Sequence, residues 1–174
     1  ENHLLNRALT SIYEPGSVIK PLVAAIAMDE GLYSSSSLIN CEGGSWYTSG
    51  KRIRDDHPQK IISLSQVIQQ SSNIGIAKVA INLGPETMLS RLKDLGFGKH
   101  PSIDFPGIPA GILRSAARIK PIEMITTAYG YGMSASMVQI LSAFAALGNE
   151  GLLMRPRLIK EVLTPEGATL TSYE

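Results

Sequence analysis

The 174-residue sequence predicts a mainly α-helical domain with a few short strands. Two S-x-x-Q boxes, Ser63–Gln66 and Ser136–Gln139, stand directly before apolar runs; in such a box a serine hydroxyl and a glutamine side chain satisfy the free N–H groups of a helix start. Pro85 and Pro121 open further segments where a missing N–H costs least, and Gly31, Gly84, Gly96 and Gly148 close helical runs. Strand-like alternation is confined to Arg157–Leu163 and a stretch near Trp46–Arg54.

In order along the chain, residues 21–30 read as a helix that is apolar nearly all round and therefore buried. Residues 33–60 are rich in Ser, Gly and charge and read as loop, with a short hairpin at Trp46–Arg54. A helix capped by Ser63 runs to about Gln70, where Ser71-Ser72-Asn73 interrupts it with residues that favour turns and caps. Helices follow over 74–83, 85–95 and 121–128, with an extended surface segment over 97–120, and Ser136 caps a helix that ends at Gly148. Residues 157–163 read as a strand, and Pro165-Glu166-Gly167 as a turn into a second.

The bulk numbers exclude several classes. At 44% hydrophobic and 18% charged residues, the chain is large enough to bury a core. A formal charge of +1, with basic residues scattered, gives no footprint for nucleic acid. The single cysteine, Cys41, excludes an internal disulfide and a cysteine-based metal cluster. No apolar stretch is long enough to span a membrane, and no signal peptide is recognisable. The first residues, ENHLLNRALTS, and the last, TPEGATLTSYE, read as cut from something longer, one partial domain over 1–174.

Chemistry concentrates in two motifs. Ser17-Val-Ile-Lys20 and Ser90-Arg-Leu-Lys93 both match S-x-x-K, a pattern expected about once by chance in a chain of ordinary composition. The second lies in an amphipathic helix, where the spacing is surface pairing. The first follows Pro15-Gly16 and runs into a helix, so Lys20 returns to the face of Ser17 one turn later. A lysine buried among apolar residues loses its proton more easily and can then accept one from serine; equally, Ser17 can be an N-cap and Lys20 a solvated first-turn lysine. Ser71-Ser72-Asn73, the chain's S-x-N, sets a hydroxyl beside an amide at a helix break; it also fits a C-cap followed by an N-cap.

Together these motifs, with Asn6-Arg7-Ala8, Glu14-Pro15-Gly16, Leu95-Gly96-Phe97-Gly98, Pro106-Gly107, Ala128-Tyr129-Gly130-Tyr131-Gly132-Met133 and Val138-Gln139 in order, resemble the transpeptidase domain of class B penicillin-binding proteins, closest to the division-specific peptidoglycan transpeptidases. The resemblance implies the helical lobe of the penicillin-binding/β-lactamase-like transpeptidase fold, with most of the central sheet missing. It implies Ser17 as acylated nucleophile, Lys20 as general base, Ser71 as proton shuttle, Asn73 holding the substrate amide, and Ser72, Tyr129 and Tyr131 contributing to substrate binding. The implied substrates are peptidoglycan stem peptides, β-lactams would acylate the same serine, and no metal or organic cofactor is implied. In relatives a membrane anchor places the domain on the periplasmic side of the bacterial cytoplasmic membrane among divisome proteins. The family's third motif, Lys-Thr-Gly or Lys-Ser-Gly, follows none of the lysines here, which implies weak or no activity for this chain. A β-lactam-hydrolysing or sensing relative and a non-catalytic scaffold are the competing readings.

Other residues carry less. Asp55-Asp56-His57 suits a solvated loop better than a metal site, with Asp55 a minor cleft candidate by resemblance. Glu14 reads as a carboxylate that stabilises a turn or a helix N-terminus. Trp46 and Tyr47 either pack on the helical body or meet a partner.

Overall fold

The computed structural model describes residues 6–172. The single domain expected over 1–174 includes residues 1–5 and 173–174, which lie outside the described residues. The helices are α1 (Arg7–Thr10), α2 (Lys20–Asp29), α3 (Leu64–Gln69), α4 (Asn73–Leu83), α5 (Pro85–Asp94), α6 (Pro121–Ala128) and α7 (Met137–Gly148). The strands are β1 (Ile12–Tyr13), β2 (Leu38–Asn40), β3 (Ser45–Thr48), β4 (Lys51–Arg54), β5 (Ile61–Ser63), β6 (Ala135–Ser136), β7 (Glu161–Leu163) and β8 (Thr169–Ser172). They pair only in twos and antiparallel, β1 with β6, β2 with β5, β3 with β4 and β7 with β8. The chain is therefore mainly helical, with small open sheets.

The capping chemistry sets the helix starts as expected. At both boxes the serine hydroxyl accepts the N–H of the third helical residue, and the glutamine side chain returns to the serine's own N–H. Gln139 does more: its Nε2 lies 3.1, 2.9 and 2.9 Å from the carbonyls of Gly96, Lys99 and Ala110, which bolts the extended 97–120 region to the start of α7. At the end of α2, Gly31 N–H donates to Met28 O and Leu32 N–H to Ala27 O, a Schellman stop.

Helix α4 is the centre of the body. Ile74, Ile76, Ala77, Val79, Ala80 and Leu83 are all buried, and α2, α3, α5, α6 and β4 pack around it. Burying each large aliphatic side chain contributes about 1.5–3 kcal/mol, so this helix is the fixed reference for what its first turn presents. The hairpin of β3 and β4 turns through Ser49 and Gly50, both at positive φ, as the twist of a two-residue hairpin requires.

Three features depart from the sequence expectations. Helix α2 is preceded by a 3-10 turn over Gly16–Ile19, so Ser17 lies in that turn. The pairings of β1 with β6 and β2 with β5 were not anticipated. The expected strand over 157–163 shrinks to β7, where Leu158 and Ile159 stay exposed with no strand beside them among the described residues.

Candidate active site

The turn 14–20 joins two other segments: Lys20 bonds to Ser71 at the α3–α4 junction, and Gly16 and Glu14 bond to the turn 129–132 after α6. Ser17 is exposed, and its hydroxyl caps no helix. Lys20 is the opposite of a solvated lysine, at 1% exposure. Its Nζ donates to Ser71 Oγ at 2.9 Å and to Ser71 O at 2.5 Å. The N-cap-and-solvated-lysine reading of Ser17–Lys20 is thereby corrected: the apolar helix that follows carries Lys20 into the core, where its hydrogen bonds among the described residues go to the Ser71 oxygens. Burial lowers its pKa to about 8, with the charges of Asp55 and then Asp56 pulling the other way.

Ser71 owes its position to a helix stop. Its N–H donates to Ile68 O and the next N–H, of Ser72, to Val67 O, closing α3 with a Schellman pair that puts Ser71 at φ +54°. The cap reading of Ser71-Ser72-Asn73 is thus realised, and the same stop directs the Ser71 hydroxyl to Lys20. A residue with a Cβ in this conformation is strained by about 1 kcal/mol.

The structure buries Ser72, which the resemblance had contributing to substrate binding. It is 1% exposed, and its hydroxyl is fully occupied: it accepts Gly75 N–H at 2.8 Å as the α4 N-cap and donates to Asp55 Oδ2 at 2.6 Å. Asp55 Oδ1 accepts the N–H groups of Asn73, at 2.6 Å, and Ile74, at 3.0 Å. A buried carboxylate at a helix start is stabilised by those free N–H groups. Asn73 is held too, its Nδ2 donating to Arg54 O at 2.9 Å, which leaves its Oδ1 for another partner. Next to this knot lies Cys41, 0% exposed with Sγ 3.5 Å from Ser72 Oγ; burial pushes the thiol pKa up, partly offset by the Ser72 hydrogen bond.

Asp55→Ala removes the acceptor for three donors, two of them buried and the Asn73 N–H part-buried. The expected cost is about 3 kcal/mol, a fall in melting temperature of roughly 6–12 °C for a chain of this size, read by thermal unfolding. A fall under about 2 °C would show that water replaces the carboxylate.

Gly130 joins the third segment to the first. Its carbonyl accepts Gly16 N–H at 3.1 Å, and a Cβ on Gly130 would lie 2.0 Å from Gly16 O. Glu14 Oε1 accepts Gly132 N–H at 2.8 Å, which makes Glu14 a clamp between two turns. Tyr129 is half-buried and Tyr131 is 52% exposed, with ring centroids 5.9 Å apart in an edge-on arrangement. Burial, and then the neighbouring phenol, raises the pKa of Tyr129.

Residue type and spacing pointed to Ser17, Lys20, Ser71 and Asn73. Asp55 as a cap and Gly130 as a contact gave no comparable signal, because each acts on a segment distant in sequence. Ser90 and Lys93 lie on α5, outside the site. Among the described residues no group of three His, Cys, Asp or Glu side chains is placed to hold a metal ion. No described helix is long and apolar enough to cross a membrane.

Lys20 is thus buried and bonded to a strained Ser71, and the exposed Ser17 lies on the 3-10 turn before it; among the described residues no hydrogen bond joins the Ser17 hydroxyl to either side chain. The penicillin binding protein transpeptidase domain matches residues 1–172, and the chain belongs to that family. It is 36% identical over 163 residues to a probable peptidoglycan D,D-transpeptidase PenA of Neisseria meningitidis, covering 93% of this chain and 28% of that protein. It is 29% identical over 160 residues to the peptidoglycan D,D-transpeptidase FtsI of Escherichia coli K12, covering 92% of this chain and 27% of that one. The chain thus spans little more than a quarter of the curated relatives it matches. Among solved structures, a peptidoglycan glycosyltransferase from Burkholderia ambifaria superposes with a TM-score of 0.88 at 34% identity, over 98% of this chain and 53% of that one. The transpeptidase domain of Burkholderia pseudomallei penicillin-binding protein 3 gives 0.86 at 35%, over 94% of this chain and 49% of that one. A mainly helical chain with small open sheets fits the helical lobe of this fold.

Proposed function

We propose that the chain supplies the Ser–Lys–Ser half of a peptidoglycan D,D-transpeptidase site, in a protein of the division-specific kind. The observation that carries this reading is the amine of Lys20, withdrawn from solvent and donating to Ser71. With a pKa near 8, about a tenth of that amine is neutral at pH 7. A neutral amine keeps two N–H bonds for Ser71 O and Oγ, and its lone pair is then the acceptor for the Ser17 proton.

Ser17 Oγ attacks the carbonyl of the D-Ala–D-Ala bond of a stem peptide as Lys20 takes its proton. The proton passes by way of Ser71 Oγ to the departing D-Ala nitrogen. An amine from a neighbouring stem then displaces Ser17 from the acyl-enzyme and returns the proton along the same path. Asn73 Oδ1 accepts from the substrate amide, and Tyr129 and Tyr131 form the wall beside it. Ser72 and Asp55 position Asn73 and do not touch substrate. A β-lactam, whose ring amide occupies the same place, acylates Ser17. The whole protein acts on the periplasmic face of the cytoplasmic membrane, anchored there and working beside divisome membrane proteins. In this chain, with no Lys-Thr-Gly or Lys-Ser-Gly segment in its sequence, turnover is weak or absent.

Intact mass after incubation with benzylpenicillin tests this. A slow, single, long-lived adduct is expected, absent from Ser17→Ala. Rapid loss of the adduct would mark a β-lactam-hydrolysing relative. No adduct, here and in the full-length protein, would leave a non-catalytic scaffold.

A further inference from the structure

A second recess lies on the far part of α4. It has a volume of about 290 Å³ and is lined by Tyr33, Asn40, Trp46, Lys78, Ile81 and Asn82 among others. Its polar groups are fixed but not used up. Asn82 Nδ2 donates to Tyr33 Oη at 2.5 Å, which leaves Asn82 Oδ1 as an acceptor and the Tyr33 hydroxyl as a donor. Asn40 Oδ1 accepts Glu42 N–H at 2.9 Å, which leaves Asn40 Nδ2 as a donor. Lys78 Nζ sits 5.0 Å from the Trp46 ring centroid and is paired with Glu42 Oε1 at 2.5 Å. Its charge is therefore matched, and the recess suits a neutral ligand.

An indole, a phenol and an exposed isoleucine side chain beside spare amide and hydroxyl groups match a ligand with apolar ring faces and a rim of hydroxyl and acetamido groups. We propose that this recess binds the glycan strand, a chain of N-acetylated amino sugars. The inference rests on the transpeptidase reading and extends it from the stem peptide to the sugar that bears it. Placement supports it. Trp46 pairs with Ile53, next to Arg54, whose carbonyl holds Asn73. Lys78 and Asn82 follow Asn73 on α4, roughly 7.5 and 13.5 Å farther along the axis at the usual rise. The four residues of a five-residue stem peptide that precede the attacked bond reach ~13–14 Å when extended, which spans the distance along α4 from Asn73 to the recess.

The chain contains one tryptophan, Trp46, so its emission reports on the recess alone. Titration with chitotetraose, a neutral tetramer of N-acetylglucosamine, is expected to give a saturable change with a Kd at or below the millimolar range. Asn40→Ala and Asn82→Ala, both at exposed positions, are expected to weaken it at least fivefold. Tetraalanine is expected to give no change. A flat response to about 10 mM sugar, an equal response in both variants, or saturation by tetraalanine instead would each overturn the glycan assignment. Penicillin acylation of Ser17 is measured in the same samples. An adduct with no sugar response removes only the glycan site; a sugar response with no adduct, in this chain and in the full-length protein alike, keeps the recess and removes the transpeptidase reading.

Discussion

Replacing Lys20 with methionine is expected to cut penicillin acylation of Ser17 by about 10²–10⁴-fold, the usual contribution of a positioned general base, and to change the pH dependence of stability. The wild-type acylation rate should rise about tenfold per pH unit and level off near pH 8, where Lys20 loses its proton. Stability runs the same way. Below about pH 8 the amine is charged in both folded and unfolded chains, and burying that charge costs stability in full. Between about 8 and the ordinary lysine value of 10.5, the unfolded chain keeps the proton that the folded chain has lost, so stability rises with pH. Above that range both forms are neutral and the penalty is gone. The wild type should therefore gain on Lys20→Met by up to about 3 kcal/mol between pH 7 and 10.5, other titrating groups cancelling between the two proteins. The lost donors to Ser71 shift the two curves apart equally at every pH. Parallel unfolding curves, or a flat acylation profile, would show that Lys20 stays charged and only orients Ser71.

Gly130→Ala should abolish acylation while the helices persist. The new methyl would meet Gly16 O at 2.0 Å and Gly16 C and N at 2.5 Å, all backbone atoms. No rotamer relieves that contact, so the two turns must separate and Ser17 moves with its turn. A loss of at least 100-fold is expected, because an ångström of misplacement at a nucleophile is worth about that much. Gly132→Ala is the control: it has a similar positive φ, but its nearest neighbour is Thr126 Oγ1 at 3.7 Å. It should cost only about 1 kcal/mol of backbone strain and acylate at close to the wild-type rate. Equal rates for Gly130→Ala and wild type would show that Ser17 is placed without this contact. Far-ultraviolet circular dichroism separates loss of the site from loss of the fold.

The helices were legible because their signals are local. Ser63, Ser136, Pro85 and Pro121 each act within one turn of themselves, and the structure starts helices there. Of the sheet pairs, the hairpin of β3 and β4 and the turn from β7 into β8 were legible, while β1 with β6 and β2 with β5 were not. Strands β1 and β6 are two residues each and far apart in sequence, so no alternation marks them. At the site, residue type and spacing named Ser17, Lys20, Ser71 and Asn73, but could not say whether Lys20 faces solvent. That is decided by α3 and α4, whose junction brings the Ser71 oxygens over it. The burial of Ser72 was not legible for a related reason: within Ser71-Ser72-Asn73 the middle residue points inward to Asp55, which the hairpin delivers from elsewhere.

The burial of Cys41 against Ser72 gives this molecule a built-in clock. A thiol-specific dye can reach Cys41 when the packing around it opens, and the contact with Ser72 is part of that packing. With no other thiol in the chain to react, the rate of labelling under native conditions counts those openings directly, in the manner of hydrogen exchange at a single position. The packing around Cys41 can thus be timed without altering any residue of the site.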